Sequence, residues 1–238
     1  MDSEDARMDT PYVAIDLEAV VSTQDEARKR HDPGGPPVVV SARHQSGGRG
    51  RSGSRWEVAD VALAVSVALS SPWPVAQIPL LALLAGLTAH ETLSPMRPDL
   101  SLKWPNDVLA PEGKVAGVLV EGSGASVVVG LGANLWWANP PAGYATILPE
   151  RPADNLRTEL AAGFAGAMVR RALGTPERWE RSGYRAVCST LGRRVCWEPD
   201  GEGVATDIDQ LGRLVVLTES GVEVALSSGE ISHLRPLG

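Results

Sequence analysis

At 238 residues the chain is long enough to bury a core, either as one sizeable domain or as one domain with a small appendage. Its formal net charge of −7 excludes a broadly basic surface of the kind that holds nucleic acid or anionic membrane, so any cationic cluster has to be local. The 2 cysteines, Cys188 and Cys196, lack both the spacing of a zinc site and the density of a disulfide scaffold, which points to free thiols in a reducing, cytoplasmic setting.

Residues 1–9 are charged and lack the apolar stretch of a signal peptide. A first apolar strand is expected at 38–41, and a buried strand at 58–69, where Val and Ala dominate. No charge falls between Asp60 and Glu91, but Ser70, Ser71, Pro72, Trp73 and Pro74 break that stretch. Neither half then reaches the ~20 apolar residues that span a bilayer. Leu80, Leu83, Leu84 and Leu87, with Pro79 in the first turn, mark a helix. Short runs at 100–104, 108–110, 115–121 and 126–131, separated by Pro, Gly, Asn and Asp, read as an antiparallel meander. Asp154 is expected to cap a helix with the stripe Leu156, Leu160, Phe164, Ala167 and Met168. A second helix from Pro176 is expected to bury Trp179, Val187 and Leu191. Five short runs follow at 194–197, 204–208, 214–218, 222–226 and 231–234, which suggests a small closed β-barrel. The fold class is α+β, with a mixed, mainly antiparallel sheet carrying helices on one side. Domains are placed at 1–188 and 189–238.

Three segments carry chemistry. The first runs from Gln45 to Trp56 and interleaves Gly48, Gly50 and Gly53 with Arg49, Arg51 and Arg55. Glycine lets the backbone turn its N–H groups toward an anion, and arginine adds planar forks for phosphate or carboxylate. Such a segment is either an active-site lid or a flexible surface loop, and its place after an apolar strand favours the lid. The second holds Lys103, Trp104, Pro105, Asn106 and Asp107, then Lys114 at the start of an apolar strand ending in Val120 and Glu121. A lone lysine normally faces solvent. Here the meander brings two to one pocket, Lys103 opposes Leu102 and Trp104 by strand alternation, and Gly117 leaves backbone open to a ligand. The third is a glycine turn, Gly130, Leu131, Gly132, Ala133 and Asn134. Asn134 with Trp136 and Trp137 forms either a floor and cover for an adenine ring or simple core packing.

In this order, and with Ser22, Thr23 and Gln24 ahead of them and Ser228, Gly229, Glu230 and Ile231 at the end, the segments resemble the catalytic core of biotin protein ligases over most of the chain. The resemblance implies a core similar to the catalytic domain of class II aminoacyl-tRNA synthetases, followed by an SH3-like C-terminal barrel. It implies that Ser22, Thr23, Gln24 and Gln45 hold the ureido head of biotin, with Gly48, Arg49, Gly50, Arg51, Trp56, Lys114 and Gly117 completing the biotin site. ATP and the adenylate fall to Arg49, Arg51, Lys103, Trp104, Asn106, Asp107, Lys114 and Asn134. Lys114, Arg51 and Arg49 are the implied catalytic groups, and Asp107 is a candidate ligand for the Mg2+ of Mg-ATP. The implied partners are biotin, ATP and the biotin carboxyl carrier domain of an acyl-CoA carboxylase, with neither DNA nor membrane. Three departures are visible. Gln24 replaces a common Asn, Ser54 replaces a common Arg, and the hairpin after Trp56 is short.

An enzymatic rival, a DNA-binding rival and a noncatalytic binding module share parts of this pattern. A lipoate ligase or octanoyltransferase has the same core, although the Gly-Arg loop and terminal barrel favour biotin. A DNA-binding repressor needs a winged-helix domain, for which the stretch before Ser22 is too short, and a basic surface. A noncatalytic module binds biotin without pyrophosphate exchange. The terminal barrel is expected to help position ATP or the acceptor.

Overall fold

A computed structural model describes residues 11–53, 56–123, 126–198, 201–227 and 234–236. Two expectations, Ser54 and the strand at Ser228 to Ile231, lie outside the described residues, as do residues 1–9.

Seven strands form the main sheet: β1 (Val13–Val20), β2 (Val38–Gln45), β3 (Val61–Ser70), β4 (Ser101–Lys103), β5 (Asp107–Ala110), β6 (Gly113–Ser123) and β7 (Ser126–Trp136). Their order is β1-β2-β3-β7-β6-β5-β4. Only β1 and β2 pair in parallel, so the sheet is mixed and mainly antiparallel. The meander from β4 to β7 is as the turn residues predict. β1 went unread in the sequence, and β3 begins at Val61 rather than 58.

Side-chain alternation gives the sheet two different faces. Leu63, Val65, Val67 and Leu69 of β3 and Val127, Val129, Leu131 and Ala133 of β7 face the large core. That core is capped by α2 (Leu80–Leu93) and α3 (Asp154–Ala172), with α4 (Arg181–Val187) beside them. α2 is buried nearly all round, since Leu81, Ala85 and Ala89 are covered as fully as the expected leucine stripe; a helix apolar on every side belongs in an interior. The opposite face carries smaller residues. There α1 (Thr23–Arg30) packs Ala27 against Val38, Val40, Ala68 and Val128. Helices therefore lie on both faces, not one.

Two helix starts also differ from expectation. Ala153 occupies the cap of α3, while the carboxylate of Asp154 pairs with Arg43 at 2.9 Å. Pro176 opens only a short 3-10 turn, and α4 begins at Arg181. Trp179 is buried as expected.

The C-terminal strands β8 (Arg194–Trp197), β9 (Gly201–Ile208), β10 (Leu214–Leu217), β11 (Glu223–Leu226) and β12 (Leu234–Pro236) form a second antiparallel sheet in the order β11-β10-β9-β8-β12. Among the described residues β11 and β12 are its two edges. Val195, Ala205, Ile208, Leu214 and Val216 join the core of the main sheet, so apolar contact runs unbroken between the two. Among the described residues, no helix is long and apolar enough to cross a membrane.

Candidate active site

A cavity of about 490 Å³ opens on the small-residue face of the main sheet. Its two ends differ in chemistry. The neutral end is built where Ser22 caps α1 and accepts the Asp25 backbone N–H at 3.3 Å. Thr23 donates to Gln45 Oε1 from its backbone N–H (2.8 Å) and its hydroxyl (3.0 Å), and the hydroxyl lies 2.9 Å from Ser66 Oγ. Ser66 donates to Gln24 Oε1 at 3.2 Å, while the Gln24 amide donates to the carbonyls of Leu119 and Val128, each at 3.3 Å. Buried polar groups that satisfy one another hold fixed positions, which suits a small ligand carrying both donors and acceptors. Gly130 makes this possible, because a Cβ there would land against Gln24 Oε1.

The charged end gathers Arg51, Lys103, Asp107 and Lys114. Lys114 Nζ lies 2.6 Å from Asp107 Oδ1 and 5.2 Å from the Trp56 ring, a cation over an aromatic face. Arg51 enters from the loop, and its burial pulls the guanidinium below its usual pKa, with Asp107 opposing that shift. Lys103 sits opposite the buried Leu102 and Trp104, as strand alternation requires. Asn106 donates its amide to Val118 O at 2.8 Å, which ties the turn before β5 to β6. Tyr144 closes this end, beside Lys114 through a backbone bridge and edge-on to Trp137.

The structure thus brings Ser22, Thr23, Gln24, Gln45, Arg49, Gly50, Arg51, Trp56, Lys103, Asn106, Asp107, Lys114 and Gly117 to one cavity. Several expected roles need correction. Trp104 lines the cavity as well, but it is 1% exposed and its indole N–H is used on Gly212 O, so its ring is anchored toward the core. Asn134 is fully buried, with its amide directed at Lys114 O and Ala145 O, each at 3.3 Å; it braces strands and does not line the cavity. Trp136 and Trp137 also lie outside the lining, the first under Arg151 and the second against Tyr144. The space over Gly117 and Gly132 is filled by Trp56, and over Gly117 by Lys114 too. Gly48 is buried beneath Gln45 and Trp56, and its carbonyl accepts the Trp56 N–H at 3.0 Å, so it shapes the loop base.

Arg49 is engaged away from the charged end. Its two terminal nitrogens each lie 2.6 Å from an Asp25 oxygen, and Glu121 stands 3.6 Å away. Arg28 binds the same two acids, at 3.2 Å and 2.7 Å, which closes a ring of alternating charge between loop, α1 and β6. That ring holds the Asp25 carboxyl below its usual pKa, chiefly through the Arg49 hydrogen bonds.

Ser66 and Tyr144 were missed in the sequence, while Gly130 and Gly132, read there as a glycine turn, lie within β7 and line the cavity. Ser66 did leave a trace, as one hydroxyl inside the apolar run of β3. Among the described residues, no three of His, Cys, Asp and Glu meet as a metal-holding group. Asp107, the candidate magnesium ligand, lies 2.6 Å from Lys114 Nζ.

The model of the biotin/lipoate A/B protein ligase family matches residues 19–134, and that of the biotin protein ligase C-terminal domain matches residues 198–234. The biotin–[acetyl-CoA-carboxylase] ligase of Mycobacterium tuberculosis is 37% identical over 219 residues, covering 83% of this chain and 79% of that one. The chain belongs to the biotin protein ligase family. Its fold is that of the Aquifex aeolicus biotin protein ligase in complex with biotin and ATP, with a TM-score of 0.76 and 27% identity over 94% of this chain and 99% of that chain. The stretch shared with the biotin/lipoate ligases contains the whole neutral end, the loop, and both lysines of the charged end.

Proposed function

We propose that this chain attaches biotin to a lysine of a biotin carboxyl carrier domain in two ATP-dependent steps. One observation carries the reading. A neutral hydrogen-bonding pocket and a cluster of one arginine and two lysines share a single cavity. Biotin has that division, with an uncharged ureido ring at one end and a carboxylate at the other. Thr23, Gln24, Gln45 and Ser66 pair the ring, and a site built to do so rejects analogues that lack its groups.

In the first step a biotin carboxylate oxygen attacks the α-phosphorus of ATP. A P–O bond forms, the bond to the β-phosphate bridge breaks, and pyrophosphate leaves with that electron pair. Lys114 and Arg51 meet the charge that grows on the phosphoryl oxygens, and Lys103 extends the cationic wall. In the second step the neutral amine of a carrier lysine attacks the acyl carbon of biotinyl-5′-AMP, the C–O bond breaks, AMP departs, and the amine proton passes to solvent. The loop over the cavity keeps water from the mixed anhydride in between. The named relative from Mycobacterium tuberculosis points to acetyl-CoA carboxylase as the acceptor. Residues 1–188 form the proposed catalytic unit and 189–238 the C-terminal unit.

The test is mass spectrometry of a purified biotin carboxyl carrier domain incubated with this protein, biotin and Mg-ATP. Gain of one biotinyl group on one lysine is expected. An acceptor of unchanged mass, or one modified equally well with lipoate in place of biotin, overturns the reading.

A further inference from the structure

The turn at residues 103–107 delivers Lys103 and Asp107 to the charged end, yet much of what holds it lies behind the cavity. Trp104 Nε1 donates to Gly212 O at 3.0 Å, and the Trp104 backbone N–H donates to Thr190 Oγ1 at 3.0 Å. One residue on, Pro105 O accepts the hydroxyl of Tyr184 at 3.2 Å. Tyr184 is fully buried and stands edge-on to Trp179, with ring centroids 6.3 Å apart. Trp179 Nε1 in turn donates to Gln210 O at 2.9 Å. These contacts close a circuit from Trp104 to the turn at residues 209–213, on to Trp179 and Tyr184, and back to Pro105.

The turn at 209–213 is itself rigid. Asp209 accepts the backbone N–H groups of Leu211 and Arg213, each at 2.9 Å, and pairs with the Arg213 side chain. Gly212 has φ +74°, and a Cβ there would meet Leu80 Cδ2 at 2.6 Å, so the turn is wedged against the start of α2. The neutral end of the cavity makes no use of this circuit, because its side chains bond one another and the carbonyls of β6 and β7.

We infer that the turn at 209–213 of the C-terminal sheet is a positioning element for the charged end of the active site, acting through Trp104, Trp179 and Tyr184. This rests on the ligase reading above. Buried hydrogen bonds suit the task, since a donor left without its acceptor is costly and the geometry is therefore held. The charged end takes the phosphates, so loosening the circuit weakens the use of ATP and spares the binding of biotin.

Trp179→Phe and Tyr184→Phe test this, because each keeps a ring, removes one donor, and lies outside the cavity lining. Three readouts are taken on the full chain: the KM for ATP in pyrophosphate exchange, the Kd of biotin alone by titration calorimetry, and the melting temperature. Each variant is expected to raise the KM for ATP about three- to tenfold, the worth of one buried hydrogen bond, with the biotin Kd unchanged to within about twofold. A folded variant with the parent's KM for ATP overturns the inference, as does a biotin Kd that moves as far as that KM. If Trp179→Phe does not fold, Tyr184→Phe decides. The parent protein is measured first, and failure of pyrophosphate exchange there counts against the ligase reading and not against the circuit.

Discussion

Lys114 is tethered on two sides, by the Asp107 carboxylate and by the face of Trp56, so its ammonium is held at the charged end before any phosphate arrives. Removing a donor aimed at developing charge costs ~3–4 kcal/mol of transition-state stabilisation, so Lys114→Ala is expected to slow pyrophosphate exchange by about two to three decades. Near-normal exchange would take Lys114 out of that role. Arg49 invites a different test, because its fork is spent on Asp25. If the pair anchors the loop, Asp25→Asn and Arg49→Ala release biotinyl-adenylate into solution to a similar degree, and the double variant is no worse than either alone. If Arg49 instead touches the nucleotide, only Arg49→Ala does harm, which a radiolabelled adenylate leakage assay separates. At the neutral end, Gly130→Ala is expected to raise the KM for biotin about tenfold or more, since the new methyl group meets Gln24 Oε1. Gln24→Asn, one methylene shorter, should restore much of that loss in the double variant. An unaltered KM in Gly130→Ala would show that the side chain of Gln24 is free to move aside.

At the scale of elements, the pairing of β1, β2 and α3 rests on a polar clasp. Asp16 of β1 takes both terminal nitrogens of the buried Arg157, at 2.8 and 2.7 Å, and the hydroxyl of Ser41 at 2.6 Å. The Arg157 hydrogen bonds, more than any other cause, hold the Asp16 carboxyl below its ordinary value of 3.8. A depressed carboxylate stabilises the fold above its unfolded pKa, and that contribution drains away as pH falls through the folded value. Asp16→Asn is therefore expected to cost about 1–2 kcal/mol near neutrality, allowing for the solvent that reaches Asp16. The gap from the parent in urea melts should begin to shrink as pH falls past the ordinary value of 3.8 and close only below the depressed folded value; a gap that does not shrink as acid is added below 3.8 would refute the clasp.

The same elements show what was legible in the chain. The meander was plain because Pro and Gly punctuate it, and Lys103 fell opposite Leu102 and Trp104 by alternation alone. That alternation also argued against giving Trp104 to ATP beside Lys103, since neighbours in a strand face opposite ways. α1 gave no periodic signal, because its eight residues are mostly charged and only Thr23, Gln24 and Ala27 are buried. β1 was overlooked because an edge strand with mostly exposed side chains lacks the apolar run that marks β3. Asn134 shares its strand face with Gly130 and Gly132, but Ala145 and Ile147, from a later loop, close over it through hydrogen bonds that no local pattern announces.

For the whole molecule, the decisive feature is a sheet used on both sides. β3, β6 and β7 press one face into the apolar core, which continues into the C-terminal sheet, and offer the other to the cavity. Structure on either side then stands or falls together, and a single cooperative thermal transition is expected by calorimetry, including the C-terminal strands. A separate early melt of those strands would contradict it. It follows that the substrates act as thermal ballast for the entire protein. Biotin alone, at about one hundred times its dissociation constant, adds roughly 2.7 kcal/mol to the folded state. Heating in the presence of candidate acids would then rank them by how far each postpones melting, an assay that needs neither a carrier domain nor turnover.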